Sequence, residues 1–323
     1  MASAASSDFV RHGKYQIPVA IWGLMQGEFR RTIEGSDVQI GSDLSGSTCF
    51  DWTLDGELPA SDPNMSRLAE IRKGVKAIGA EALNHDDQIE QWLITSNVSR
   101  SPFAPKRHNK GFKDRKSINK FVDGFKSSGS TPLAETLQAA LSAYVNKVTK
   151  DPGAKALTLV WFLDGVDDNM EGLNDGTVNL EPLKDLVMDA AAEIKAITKC
   201  ADVRDKLGVQ FCLVTSYSKV IHAYDGFDNA TTYKYAGTEA HFECDIFDCT
   251  TIKQVMEMGG WESPLTHMKL IGGARNETLD NILEYLKEHA LDYDPASGGN
   301  PPTYDECMDD LDRKRKEKAG SAI

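Results

Sequence analysis

No close CxxC pair and no histidine-rich tract occurs in this chain. Its six cysteines (Cys49, Cys200, Cys212, Cys244, Cys249 and Cys307) are scattered, mostly inside apolar runs. That excludes a close-spaced zinc knuckle and reads as free, buried thiols in a reducing compartment. A Walker loop, a GxGxxG turn and a GxSxG elbow are also missing; SDLSGS lacks the elbow's first glycine. The N-terminus, MASAASSDFV, has neither a basic stretch nor an apolar core of the kind that opens a secretory signal. No apolar run is long enough to span a bilayer. Cationic surplus is absent too: 36 Lys and Arg against 49 Asp and Glu give a formal net charge of -13. Such a surface repels phosphate backbones, so neither nucleic acid nor membrane is an expected partner. The cytoplasm is the expected location, with the nucleus as the alternative.

With 323 residues and 41% hydrophobic content, the chain can build one large α/β domain or two smaller ones. Residues 15–24 form a short apolar run, either a strand or part of an extension packed on the domain. DVQI at 37–40 reads as a strand feeding a loop at Gly41-Ser42. Leu68, Ile71, Val75 and Ile78 repeat at helical spacing within 64–83, with Asn64 or Ser66 to cap the start. A strand follows at 88–96, then a basic, Pro/Gly-broken stretch at 100–116 that is a loop or weak edge strand. A short helix is expected at 117–126 and a strong one from Pro132. ALTLVWFL at 156–163 is apolar almost throughout, the mark of a strand buried on both faces. A helix at 182–198, a strand at 209–217, a last strand at 242–247 and helices near 251–258 and 276–290 complete the pattern. Strands alternating with helices imply a doubly wound, mostly parallel sheet with helices on both faces.

Three remote segments carry small oxygen ligands: DLSGS at 43–47, GSTPL at 129–133 and FLDG at 162–165. They supply two carboxylates, Asp43 and Asp164, and three hydroxyls, Ser45, Ser47 and Thr131. This set suits a hard divalent cation such as Mg²⁺, with Mn²⁺ or Ca²⁺ as alternatives. With no thiolate and no imidazole it suits zinc and copper poorly. Each carboxylate follows a strand, which places both at the carboxyl edge of the sheet, where open α/β folds bind ligands.

Together the three segments resemble the metal-ion-dependent adhesion site of a von Willebrand factor type A domain. That pattern has D-x-S-x-S after the first strand, a threonine in a Gly-rich loop before a helix, and an aspartate in a strand-ending DG. The resemblance covers roughly 37–290, including DIFDCT at 245–250 as the closing strand. It divides the chain into an N-terminal extension (1–36), a type A domain (37–291) and a flexible tail (292–323). It implies a cation held with one open position, which an exposed Asp or Glu of a partner protein fills. It also implies a last helix that shifts when ligand binds, with 276–290 as the candidate. The strand before Asp43 is short, and the loop from Thr48 to Pro63 is long and lies next to the ion.

Other motifs carry less. Asp167, Asn169, Glu171 and Gly172 mimic part of a calcium loop, but Val178 stands where its bidentate glutamate belongs, so a solvated acidic loop is the better reading. Pro301-Pro302-Thr303-Tyr304 resembles the PPxY ligand of WW domains, which would make the tail an adaptor for a WW-containing ubiquitin ligase, or else a plain spacer. RKRKEK at 313–318 reads as the solvated end of a charged helix. The seven histidines all lie outside the ligand segments. A Mg²⁺-dependent hydrolase therefore ranks behind a binding module, and no enzymatic activity is expected.

Overall fold

In the computed structural model, the described residues are 9–97, 106–166, 179–224, 231–234 and 241–280, with side chains placed for all but 231–234 and 241–244. The expected tail with Pro301, Pro302 and Tyr304, most of the acidic loop after Gly165, and most of the 276–290 helix lie outside these residues.

A six-stranded sheet forms the centre, in the order β10-β7-β6-β3-β4-β5. Its strands are β3 (Ser36–Asp43), β4 (Ile89–Ile94), β5 (His108–Phe112), β6 (Ala156–Leu163), β7 (Leu207–Leu213) and β10 (Phe247–Thr251). All neighbours run parallel except the edge strand β5, which is antiparallel to β4. Two small antiparallel ribbons lie apart from it: β1 (Phe9–His12) with β2 (Tyr15–Pro18), and β8 (Thr231–Lys234) with β9 (His241–Cys244).

The strand alternation sorts side chains into two cores. Val160, Phe162, Val38 and Ile40 face one way, under α1 (Val19–Glu34), α2 (Arg67–Ala82), α3 (Arg115–Asp123), α7 (Ile252–Glu257) and α8 (Pro264–His267). Leu159, Trp161, Leu163, Val209 and Phe211 face the other, under α4 (Leu133–Lys150), α5 (Glu181–Thr198) and α6 (Ser218–Tyr224). This is a doubly wound α/β architecture, as the alternating pattern of the sequence leads one to expect.

Three elements differ from the sequence reading. The apolar run at 15–24, read as a strand or part of an extension packed on the domain, begins as a strand at Tyr15–Pro18, but residues 19–34 then form a 16-residue helix. Its start has no side-chain cap, since Pro18 occupies that position, and Gly23 and Gly27 weaken its helical signal. Tyr15, Ile17, Met25, Phe29 and Ile33 bury in the same core as α2, so the described part of the N-terminal segment is built into the domain. The expected strand at 242–247 is split: His241–Cys244 pairs in the small ribbon, and Phe247–Thr251 closes the main sheet. Finally, β3 is longer than DVQI suggests, because its polar residues find partners inside the sheet. Trp92 Nε1 donates to Gln39 Oε1 at 2.8 Å, and Gln91 Nε2 donates to Ser42 Oγ at 2.7 Å. Buried polar groups satisfied in this way do not interrupt a strand.

Candidate metal centre

β3 and β6 are parallel neighbours, with Ser42 beside Phe162. Both therefore end at the same rim, where Asp43 closes β3 and Asp164 follows β6. Both carboxylates are fully buried. Gly41 makes this packing possible: a Cβ there would come within 2.6 Å of the Trp161 indole.

The loop carrying Thr131 is laced onto the main chain of DLSGS by hydrogen bonds. Gly46 N donates to Gly129 O at 2.9 Å, Ser128 N to Leu44 O at 2.8 Å, and Ser127 Oγ to Ser45 O at 2.7 Å. Gly129 has a φ of +79°, and a Cβ there would press to 2.5 Å from Ser96 Oγ, so both backbone conformation and space call for glycine. Pro132 then leads directly into α4.

All five residues singled out in the sequence converge at this rim. Ser45 N donates to Asp43 Oδ1 at 2.8 Å, Ser45 Oγ and Ser47 Oγ lie 2.9 Å apart, and Ser47 Oγ donates to Asp164 Oδ1 at 3.2 Å. Thr131 is buried and lines, with Ser47 and Asp164, a cavity of about 200 Å³. A larger hollow of about 430 Å³ lies at the opposite edge of the sheet, where Asp37 pairs with Lys147.

The electrostatics are those of a site short of positive charge. Burial, and then the charge of Asp164, push the Asp43 carboxyl well above the usual carboxylate range. Asp43 Oδ2 is buried and has no hydrogen-bond partner among the described residues. Two facing carboxylates with three hydroxyls beside them fit a hard dication, which would satisfy that oxygen and offset the repulsion. Among the described residues no group of three or more His, Cys, Asp or Glu is placed to hold a metal ion.

One charged neighbour escaped the sequence reading. Arg67, in the first turn of α2, is only 1% exposed. Its Nη1 lies 3.3 Å from Asp164 O and 3.4 Å from Asp164 Oδ2, and its Nη2 donates to Gly56 O at 2.8 Å. The signal was present: position 67 falls on one helical line with Ile71, Gly74 and Ile78, all buried. The long loop from Thr48 to Pro63 does border the site. Glu57 lines the cavity, and Asp55 accepts from Ser218 N and Oγ at 2.8 and 2.9 Å, tying the loop to the start of α6.

No known family model matches the chain, and no curated protein matches it. Among solved structures it is similar to the PilB minor pilin of Streptococcus sanguinis, at 13% identity and a TM-score of 0.37, over 81% of this chain and 63% of that one. It is similar to the manganese-loaded TRAP protein of Plasmodium vivax, at 11% identity and a TM-score of 0.36, over 72% and 75%. A von Willebrand factor type A protein from Catenulispora acidiphila follows at 10% identity and a TM-score of 0.32, over 79% and 42%. The chain thus spans less than two thirds of the pilin and of the Catenulispora protein. No helix among the described residues is long and apolar enough to cross a membrane.

Proposed function

We propose that this chain is a metal-dependent protein-binding module of the von Willebrand factor type A kind. Asp43, Ser45, Ser47, Thr131 and Asp164 would hold Mg²⁺, or Mn²⁺ or Ca²⁺ in its place. When bound, the ion would supply a Lewis-acidic open position that takes a carboxylate from an exposed Asp or Glu of a partner protein. The observation that carries this reading is the buried, unpartnered Asp43 Oδ2 facing a second buried carboxylate. Such a pair is costly unless a cation is shared between its members.

The chain's own residues have separable tasks. Asp43 and Asp164 provide charge from two rigid strand ends. Ser45 and Ser47 are held by each other and by Asp164, so their hydroxyls are oriented before any ion arrives. The cavity limits access to a small group. Binding rather than catalysis is supported by the histidines placed in the structure. His12 packs tilted against Trp22, His85 pairs with Glu81, His108 stacks on Trp92, His222 is exposed on α6, and His267 donates to the Trp261 carbonyl. None of these lines the cavity as a general base would. The free thiols of Cys49, Cys200 and Cys212 support a reducing, cytoplasmic location.

Calorimetric titration with Mg²⁺ tests the reading. The wild type binds one equivalent and Asp43→Ala binds none; equal binding by the two proteins rules the site out. A pull-down from cell extract with and without EDTA then reads whether partner capture needs the metal.

A further inference from the structure

Arg67 has no place in the ligand set, yet it is the fixed charge nearest to it. Its guanidinium is buried over the Phe50 ring, with its central carbon 5.5 Å from the ring centre. Nη1 reaches both the main chain and the carboxylate of Asp164. Nε has no hydrogen-bond partner among the described residues. A guanidinium does not shed its proton in a protein, so this charge is permanent.

Charge counting gives the consequence. The five ligand residues bring two carboxylates and three neutral hydroxyls; the guanidinium beside them leaves a single net negative charge, and Glu57 and Lys219, which also line the cavity, offset each other. A dication turns that into a single net positive charge. Were position 67 neutral, the loaded site would be neutral as well. An arriving carboxylate would then meet no net field to offset its own desolvation. Resting on the metal-binding reading above, we infer that Arg67 is a specificity-determining residue. It weakens the hold on the cation and makes the loaded site select an anionic group over a neutral one.

A purely structural role is the rival explanation, since Arg67 also ties α2 to the loop carbonyl of Gly56. The two roles differ in sign. A structural tie, once cut, loosens the site and weakens cation and anion binding together. A charge role strengthens the first and weakens the second.

The experiment uses Mn²⁺ as the metal probe and acetate as the carboxylate probe. Electron paramagnetic resonance reads free Mn²⁺, and water proton relaxation reads displacement of the bound water by acetate. Arg67→Met and Arg67→Gln are expected to bind Mn²⁺ about tenfold more tightly and acetate about tenfold more weakly than wild type. Arg67→Lys, which keeps the charge, stays near wild type in both. Affinities that fall together, or do not move, in the neutral variants overturn the inference while leaving the metal site standing. Absence of Mn²⁺ binding in wild type and variants alike overturns the metal reading and the inference with it. Should both neutral variants fail to fold, the wild type alone decides. Acetate must then displace the bound water at least about tenfold better than neutral acetamide, and equal competition refutes the claim.

Discussion

Replacing Asp43 by asparagine inverts the usual consequence of changing a buried residue. Asp43 Oδ1 accepts from Ser45 N, and an amide oxygen can keep that bond. The other oxygen is unpartnered and faces Asp164. An amide NH₂ in its place donates to the Asp164 carboxylate, which turns a repulsion into a hydrogen bond to a charged group worth about 1.5–3 kcal/mol. The sign depends on pH. The folded-state pKa of Asp43 is raised, so wild-type protein in EDTA is most stable below the unfolded carboxylate range and loses stability as pH rises through the folded value. Asp43→Asn removes that loss, so its advantage in EDTA grows with pH. For a domain of this size about 2 °C accompanies each kcal/mol, giving a melting temperature roughly 3–6 °C above wild type at pH 8. Metal reverses the order. Mg²⁺ at about 100 times its Kd stabilises the wild type by about 2.7 kcal/mol, or roughly 5 °C, and leaves the variant unmoved. Differential scanning fluorimetry at two pH values, with EDTA and with Mg²⁺, reads all four states. A variant that melts below wild type in EDTA at pH 8, or that retains the Mg²⁺ shift, refutes the reasoning.

Three further outcomes follow from particular contacts. Gly41→Ala drives a methyl group into the Trp161 ring at 2.6 Å and is expected to cost about 1–3 kcal/mol; an unchanged urea midpoint would show that the indole can yield. Ser66→Ala removes the cap that accepts from Ala69 N at 3.2 Å at the start of α2 and should cost about 1 kcal/mol, read by the same urea titration, with no loss expected if the helix is held by packing alone. His267 is buried, with Nε2 on the Trp261 carbonyl and Nδ1 3.7 Å from Glu81, and burial lowers its pKa. Its stabilising effect is therefore present above about pH 6.5 and lost as pH falls through the lower folded value. His267→Gln should flatten the decline in melting temperature between about pH 7.5 and 5.5, and parallel declines in the two proteins would exclude His267 as the titrating group.

The doubly wound fold was legible from the alternation of strands and helices, and so was the meeting of five residues at one rim: Asp43 and Asp164 stand where parallel neighbouring strands end, Ser45 and Ser47 follow Asp43, and Thr131 precedes α4. β6 and α4 were equally plain, one from a run apolar at all but Thr158 and the other from a long periodic stretch behind a proline. What escaped was decided by distant contacts. The helix at 19–34 owes its existence to the core it covers rather than to propensity or capping. Residues 264–275, left unassigned, coil as α8 and the π-helical and 3₁₀ turns after it, where a buried Lys269 pairs with Asp248 and Asp280. The helical line it shares with Ile71, Gly74 and Ile78 marks Arg67 as inward-facing, but nothing local reveals that a carboxylate 97 positions away will sit against it.

The way the first helix is folded in has a practical corollary. Ile17, Met25 and Ile33 are wholly shielded from solvent by the rest of the domain, and Arg275, near the far end of the described chain, hydrogen-bonds to Ser36 and to the carbonyl of Thr32. A recombinant fragment cut at the sequence-derived boundary, starting at Asp37, would expose the apolar underside of the sheet and of α2, and would leave that guanidinium only its bonds to the carbonyls of Arg204 and Asp205. Any trimmed version meant to retain the metal-binding rim has to start at or before Phe9.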